Sequence, residues 1–191
     1  ANANTGTAIP PTAVLGLVGW TNSPSSYATW DMSSAESRLF LIGARQQALG
    51  ATDYLQTFGP ECLGDRPFEI DYGTCRREVD AIVRAVRSGY VASANAIEEG
   101  GLCNAVSELV ANTAMPVDVS VYLDRQMGTD ELDEYQKLFS ESHGVVLQVE
   151  ERYAGSFSDL CRSRGVAAYE IGTTSGAEQG ALKFFSGNEP V

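Results

Sequence analysis

The stretch Ser93–Val110, SANAIEEGGLCNAVSELV, holds the residues whose types and spacing come nearest to doing chemistry. A strand-like run gives way here to an amphipathic helical one, and Gly100 and Gly101 stand at the junction. A Gly-Gly pair opening a helix lets backbone N–H groups face an anion. Glu98 and Glu99, directly before the pair, repel one. Two other glycine-bearing stretches share this character. LGATDYL (Leu49–Leu55) is a turn feeding a helix, with Gly50 and the Thr52 hydroxyl at its start. LFSESHG (Leu138–Gly144) places Glu141 just before a strand. Each stretch alone also fits a purely structural glycine turn.

Other chemistries find fewer residues. His143 is the one histidine of the chain, so no Ser–His–Asp or Cys–His nucleophile system can be assembled around a second base. Its setting, ESHG, reads as a solvated helix-to-strand turn. Neither GxxxxGK[ST] nor GxGxxG occurs, which removes the P-loop and the dinucleotide fingerprint. Cys62, Cys75, Cys103 and Cys161 show no C-x-x-C spacing, and with one histidine they predict packed, reduced thiols rather than a zinc site. A reducing, cytoplasmic setting follows from that expectation.

The 191 residues carry a net charge of −12, which argues against a sequence-independent hold on nucleic acid or an anionic membrane. No apolar run approaches the roughly 20 residues of a membrane span. With 43% hydrophobic residues, the chain has the composition of one globular domain with a sizeable core.

The elements that must position these stretches are legible as periodicities. Residues 1–11 read as a proline-ended linker, and 12–191 as a single domain. Strands are expected at Thr12–Gly19, Arg38–Ala44, in YVASA after Gly89, at Val117–Leu123 and at Gly144–Glu150. Helices are expected from Ala51 to Gly59 and over Thr74–Gly89, the latter with Cys75, Val79, Ile82, Val83 and Val86 inward and Gly89 as its stop. A third runs from Gly101 with Leu102, Val106, Leu109 and Val110 inward. A fourth lies in DELDEYQKLFS, and a fifth in SFSDLCRSRG with Ser156 and Asp159 at capping-box spacing and Gly165 as its end. AAYEIGTTSG and ALKFFSG close the chain as a strand pair. Strands and helices interleave, giving an α+β domain with a mixed, helix-covered sheet.

Taken in order, IPPTAVLGLVG, LFLIGARQQALGATDYL, YVASANAIEEGGLCNAVSELV, LFSESHGVVLQV and GVAAYEIGTTSG resemble the C-terminal domain of the aminoimidazole-ribonucleotide-synthetase superfamily, and within it phosphoribosylformylglycinamidine synthases. The resemblance runs from about Ile9 to Gly176. It implies a three-layer α/β/α domain with a mixed, partly ferredoxin-like sheet. It also implies an N-terminal ATP-binding partner domain and a glutaminase domain. In that family ATP, with magnesium, activates the amide oxygen of formylglycinamide ribonucleotide, and ammonia displaces the phosphate.

Carried over residue by residue, the resemblance implies a substrate- or phosphate-binding set of Gly50, Thr52, Glu99, Gly100 and Gly101, with Asn95 and Glu141 as further site residues. Where the family has L-G-G-S, this chain has Leu49-Gly50-Ala51-Thr52. Where it has A-H-D-x-S-[DE]-G-G-L, this chain has Ala94 to Leu102, with Asn95 and Ala96 in place of His-Asp and Glu98 in place of Ser. Glu99 to Leu102, Glu108, and Leu138, Phe139 and Glu141 of the L-F-x-E block are kept. The shape of an anion-facing turn survives while its polar groups have changed. The expectation is therefore no catalytic or metal-ligating residue, no cofactor for the chain alone, and a non-reacting or divergent copy of the domain, inactive in isolation. The second reading is a scaffold or interaction module derived from the same family.

Overall fold

The computed structural model describes residues 6, 14–20, 23, 27–33, 35–62, 66–125 and 132–191. Apart from Gly6, the expected linker 1–11 lies outside them, as does the Cys62 side chain. Seven strands make one sheet in the order β2-β4-β1-β5-β3-β6-β7. They are β1 (Ser37–Ile42), β2 (Val91–Ala96), β3 (Val117–Tyr122), β4 (Val145–Glu150), β5 (Ala168–Gly176), β6 (Ala181–Ser186) and β7 (Glu189–Pro190). The β3–β6 pair is parallel and the other neighbours are antiparallel, so the sheet is mixed.

The alternation of side chains along each strand divides the core in two. Leu39 and Leu41 of β1, Val146 of β4 and Val117, Val119 and Val121 of β3 face one way. They pack against Leu102, Ala105, Val106 and Leu109 of helix α3 (Gly101–Ala111). Phe40 and Ile42, with Leu147 and Val149, face the other way. There they meet Ala81 and Ala85 of α2 (Tyr72–Arg87) and Phe157 and Cys161 of α5 (Ala154–Ser163). Helices thus lie on both faces, the three-layer α/β/α arrangement that the family resemblance implies. Two six-residue helices, α1 (Asp53–Phe58) and α4 (Glu134–Phe139), sit beside α3 at its N-terminal end. Among the described residues no helix is long and apolar enough to cross a membrane.

Four local expectations are corrected. Residues 14–20 form no strand; Val14, Leu15, Leu17 and Val18 are 91–103% exposed, so this run has not buried its apolar side chains. On α2 Ile82 and Val86 pack against the core as expected, but the fully buried stripe is Glu78, Ala81 and Ala85, and Val79 and Val83 point outward, because small alanines let the helix approach the sheet closely. α5 begins at Ala154, directly after a 3-10 turn leaving β4, so Ser156 lies inside the helix and caps nothing. Finally, β5 and β6 do not pair. β3 lies between them, and the connection passes its end, where the Ala177 N–H donates to the Pro116 carbonyl at 3.2 Å.

Cys161 is buried, and burial pushes its thiol up to about 11, as suits a packed apolar residue. Cys75 and Cys103 are free thiols, each half-buried.

Candidate functional site

The turn 49–52 starts α1. Thr52 is its N-cap: the hydroxyl donates to the Leu49 carbonyl at 2.6 Å and accepts from the Leu55 N–H at 3.4 Å. The Thr52 side chain is therefore engaged within its own turn and buried, and Gly50 beside it is buried too. Ala51 has φ 62°, the one positive φ outside glycine among the described residues. This is the position where the family pattern has its second glycine. A Cβ in the left-handed region costs about 1–2 kcal/mol, whereas glycine there gives back part of this through the entropy of the unfolded chain. Ala51→Gly is accordingly expected to stabilise the domain by about 0.5–1 kcal/mol, read as a higher urea midpoint at unchanged m.

α3 opens on two left-handed residues, Gly100 at φ 79° and Gly101 at φ 69°. Gly101 is pressed against the third stretch of the motif set. A Cβ there would lie 2.6 Å from the Leu138 carbonyl oxygen and 2.8 Å from the Phe139 Cα. The helix entry is thus a glycine site for two reasons, backbone angle and backbone contact.

Glu141 joins all three stretches. Its Oε1 accepts from the Asp53 N–H at 2.9 Å and from the Gly100 N–H at 3.0 Å. An anion is indeed bound where these amides converge, and it is the chain's own carboxylate. The ring of Phe139, two residues earlier, stacks on Tyr54 of α1 with centroids 5.0 Å apart, holding α4 against α1. Behind the turn, the buried Arg45 guanidinium donates to the carbonyls of Ser140 (3.0 Å) and His143 (2.8 Å). Burial holds the Arg45 guanidinium down at about 10 against the pull of Glu78. The backbone that presents Glu141 is therefore fixed from within.

Asn95 stands apart from this junction, at the end of β2. Its Nδ2 donates to Glu108 Oε2 at 2.8 Å and to the Ala105 carbonyl at 3.1 Å. Asn104 Nδ2 reaches Glu108 Oε1 at 3.3 Å and the Glu99 carbonyl at 3.0 Å. The Glu98 and Glu99 side chains are exposed. Two clefts flank the α3 entry. One of about 360 Å³ is lined by Asp53, Glu99, Gly100, Cys103, Asn104 and Phe139 among others. One of about 90 Å³ is lined by Ala96, Glu98, Glu99, Asn104, Ala105 and Glu108. Among the described residues no Lys or Arg lines either, so their field disfavours a free anion.

Of the residues singled out from sequence, Thr52, Gly100, Gly101 and Glu141 meet at one junction, whereas Asn95 and Glu108 form a separate network. Sequence reading missed Arg45, whose burial nothing in GARQQ announces, and Glu78, a carboxylate in an otherwise small-residue stripe. His143 does not stand as a solvated turn residue: it is a third exposed, and its Nε2 lies 3.0 Å from Oε2 of the buried Glu78.

A mixed sheet covered on both faces, with a glycine turn opening α3 against a glutamate from the L-F-x-E block, defines a class. Residues 45–184 match the family described as AIR synthase related protein, C-terminal domain, and the chain belongs to that family. It is 28% identical, over 184 residues, to the phosphoribosylformylglycinamidine synthase subunit PurL of Renibacterium salmoninarum, covering 95% of this chain and 23% of that protein. The PurL subunit of Leifsonia xyli subsp. xyli is likewise 28% identical, over 95% of this chain and 22% of its own length. The chain thus spans about a quarter of the curated relatives it matches. The fold is that of Thermotoga maritima PurL. A structure complexed with FGAR superposes with TM-score 0.70 at 17% identity, over 88% of this chain and 28% of that one. One complexed with ADP gives 0.68 at 18% identity, over 88% and 26%. The chain is thus similar over nearly its whole length to part of the PurL subunits.

Proposed function

We propose that this chain serves, within a longer PurL-like enzyme, as the copy of the domain that does not turn over substrate. The reaction of that enzyme is the ATP-dependent amidation of formylglycinamide ribonucleotide. The observation that carries the reading is the end of β2, where Asn95 and Ala96 stand in place of the family's His-Asp pair and Asn95 is engaged by Glu108 and the Ala105 carbonyl; beside it the Glu141 carboxylate is seated on the Asp53 and Gly100 amides. A phosphate bound there would have to displace it. Ala96 supplies no metal ligand where the family has aspartate, and the flanking clefts offer carboxylates without cations. These residues do not fit a bare phosphate at this turn; the carboxylates of the clefts are donors a magnesium ion would take, and no chemical step is assigned to them.

Residues 12–191 are on this reading one domain whose neighbours are an N-terminal ATP-binding domain and a glutaminase. The apolar side chains of residues 14–20, exposed in the chain alone, support a neighbour on that side. The test is an amidation assay on the longer enzyme carrying Glu99→Gln. The rate with formylglycinamide ribonucleotide, ATP and glutamine is expected to stay within about twofold of wild type. A fall of about a hundredfold, worth about 2.7 kcal/mol of transition-state stabilisation, would place the reacting centre here and overturn the reading.

A further inference from the structure

We propose that Cys75, Glu78 and His143 form a binding site for one thiophilic divalent cation of the zinc type, between α2 and the turn leading into β4. One ligand atom from each residue lies within 4.8 Å of the others. The Glu78 Oε2–His143 Nε2 distance is already 3.0 Å. A tetrahedral zinc ion, with bonds of about 2.0–2.3 Å, holds its ligand atoms roughly 3–4 Å apart. Closing the set around an ion therefore asks for side-chain adjustment rather than movement of the elements.

Both elements are rigid. Cys75 and Glu78 stand three residues apart on α2, which puts them on one face. The backbone of His143 is held by Arg45 through its carbonyl at 2.8 Å. Glu78 is buried, so its carboxylate is poorly hydrated and gains from a cation. His143 keeps a third of its side chain exposed, which leaves a fourth position open toward solvent. The buried Arg45 guanidinium is a neighbouring cation, and it is directed onto the Ser140 and His143 carbonyls. Burial, Glu78 and Asp71 keep the Cys75 thiol protonated in the free site. Binding releases that proton, after which a divalent ion, a thiolate and a carboxylate sum to zero. A plain His–Glu hydrogen bond accounts for two of the three groups, and the Cys75 thiol is the third donor within reach of them. Sequence spacing conceals the set, because the histidine is far from Cys75 along the chain and the third ligand is a glutamate.

The experiment is a cobalt(II) titration of the tag-free 191-residue chain, followed in the near-ultraviolet and visible. The expected result is one equivalent bound with a thiolate-to-cobalt charge-transfer band, displaced by zinc. Cys75→Ser should remove that band, and His143→Ala and Glu78→Gln should each weaken cobalt binding by about tenfold or more, in samples whose far-ultraviolet circular dichroism matches wild type. Should Cys75→Ser fail to fold, His143→Ala, which alters a half-exposed turn, decides the matter. No thiolate band in wild type would overturn the proposal. So would a band that survives Cys75→Ser, which would report another cysteine, or undiminished binding by His143→Ala.

Discussion

Gly101→Val is expected to lower the stability of the domain by about 2–6 kcal/mol, combining two costs. A β-branched residue at φ 69° sits in a region it scarcely populates, at about 1–3 kcal/mol. Its Cβ also meets the Leu138 carbonyl oxygen at 2.6 Å, and displacing backbone for extra volume costs about 1–3 kcal/mol more. For a domain of this size the melting temperature should fall by roughly 10 °C. Gly165→Val is the internal control. Gly165 has φ 66°, but nothing lies within 4 Å of its Cβ position. Only the backbone term remains there, so the loss should be about 1–3 kcal/mol and smaller than at Gly101. Equal losses at both positions would show that contact with the Leu138–Phe139 backbone carries no weight.

The second large effect is expected at Glu141. Glu141→Ala removes the acceptor of two amides at one stroke. Hydrogen bonds to a charged group contribute about 1.5–3 kcal/mol, and a donor left unsatisfied costs about 1–3. Because the carboxylate is half-buried and water can partly replace it, we expect a loss of about 2–4 kcal/mol by urea denaturation. Glu141→Gln keeps a neutral acceptor and should lose about half as much. In the alanine variant the vacated amides face solvent, and an added anion can take the place of the carboxylate. Phosphate at a hundred times its dissociation constant would restore about 2.7 kcal/mol. Wild type, whose own carboxylate holds the position, should gain nothing.

What the sequence conveyed and what it hid divide along physical lines. Strands β1 to β4 and helix α3 are strongly periodic and were legible within a residue or two, since burial of one face dictates the pattern. On α2, Ile82 and Val86 pack against the core as their spacing indicates, whereas Val79 and Val83 point outward, because valine signals burial more strongly than alanine while close packing against the sheet favours the smaller residue. The β5–β6 adjacency was misjudged because the two are neighbours in sequence, and no local signal says that β3 inserts between them. At the site, the glycines and Glu141 were recognisable as blocks in order. That one carboxylate joins two of the blocks depends on residues 41 and 88 positions apart. The same distance along the chain hid the His143–Glu78 contact. Ala51 is the informative exception: the sequence showed a glycine replaced, and the backbone has kept the glycine's angle.

The central claim is that the glycine turn retains an anion-binding shape and that Glu141 fills it. The most direct measurement is an amide proton–nitrogen correlation spectrum of the 191-residue chain, titrated with inorganic phosphate and repeated for Glu141→Ala. In wild type, the Asp53 and Gly100 resonances should lie downfield, as amides bonded to a carboxylate do, and should not move with phosphate. In Glu141→Ala both should shift at the start and then respond to phosphate together. Saturable movement of the Asp53 and Gly100 resonances in the wild-type chain would contradict the account, since it would mean that the turn is open to an external anion.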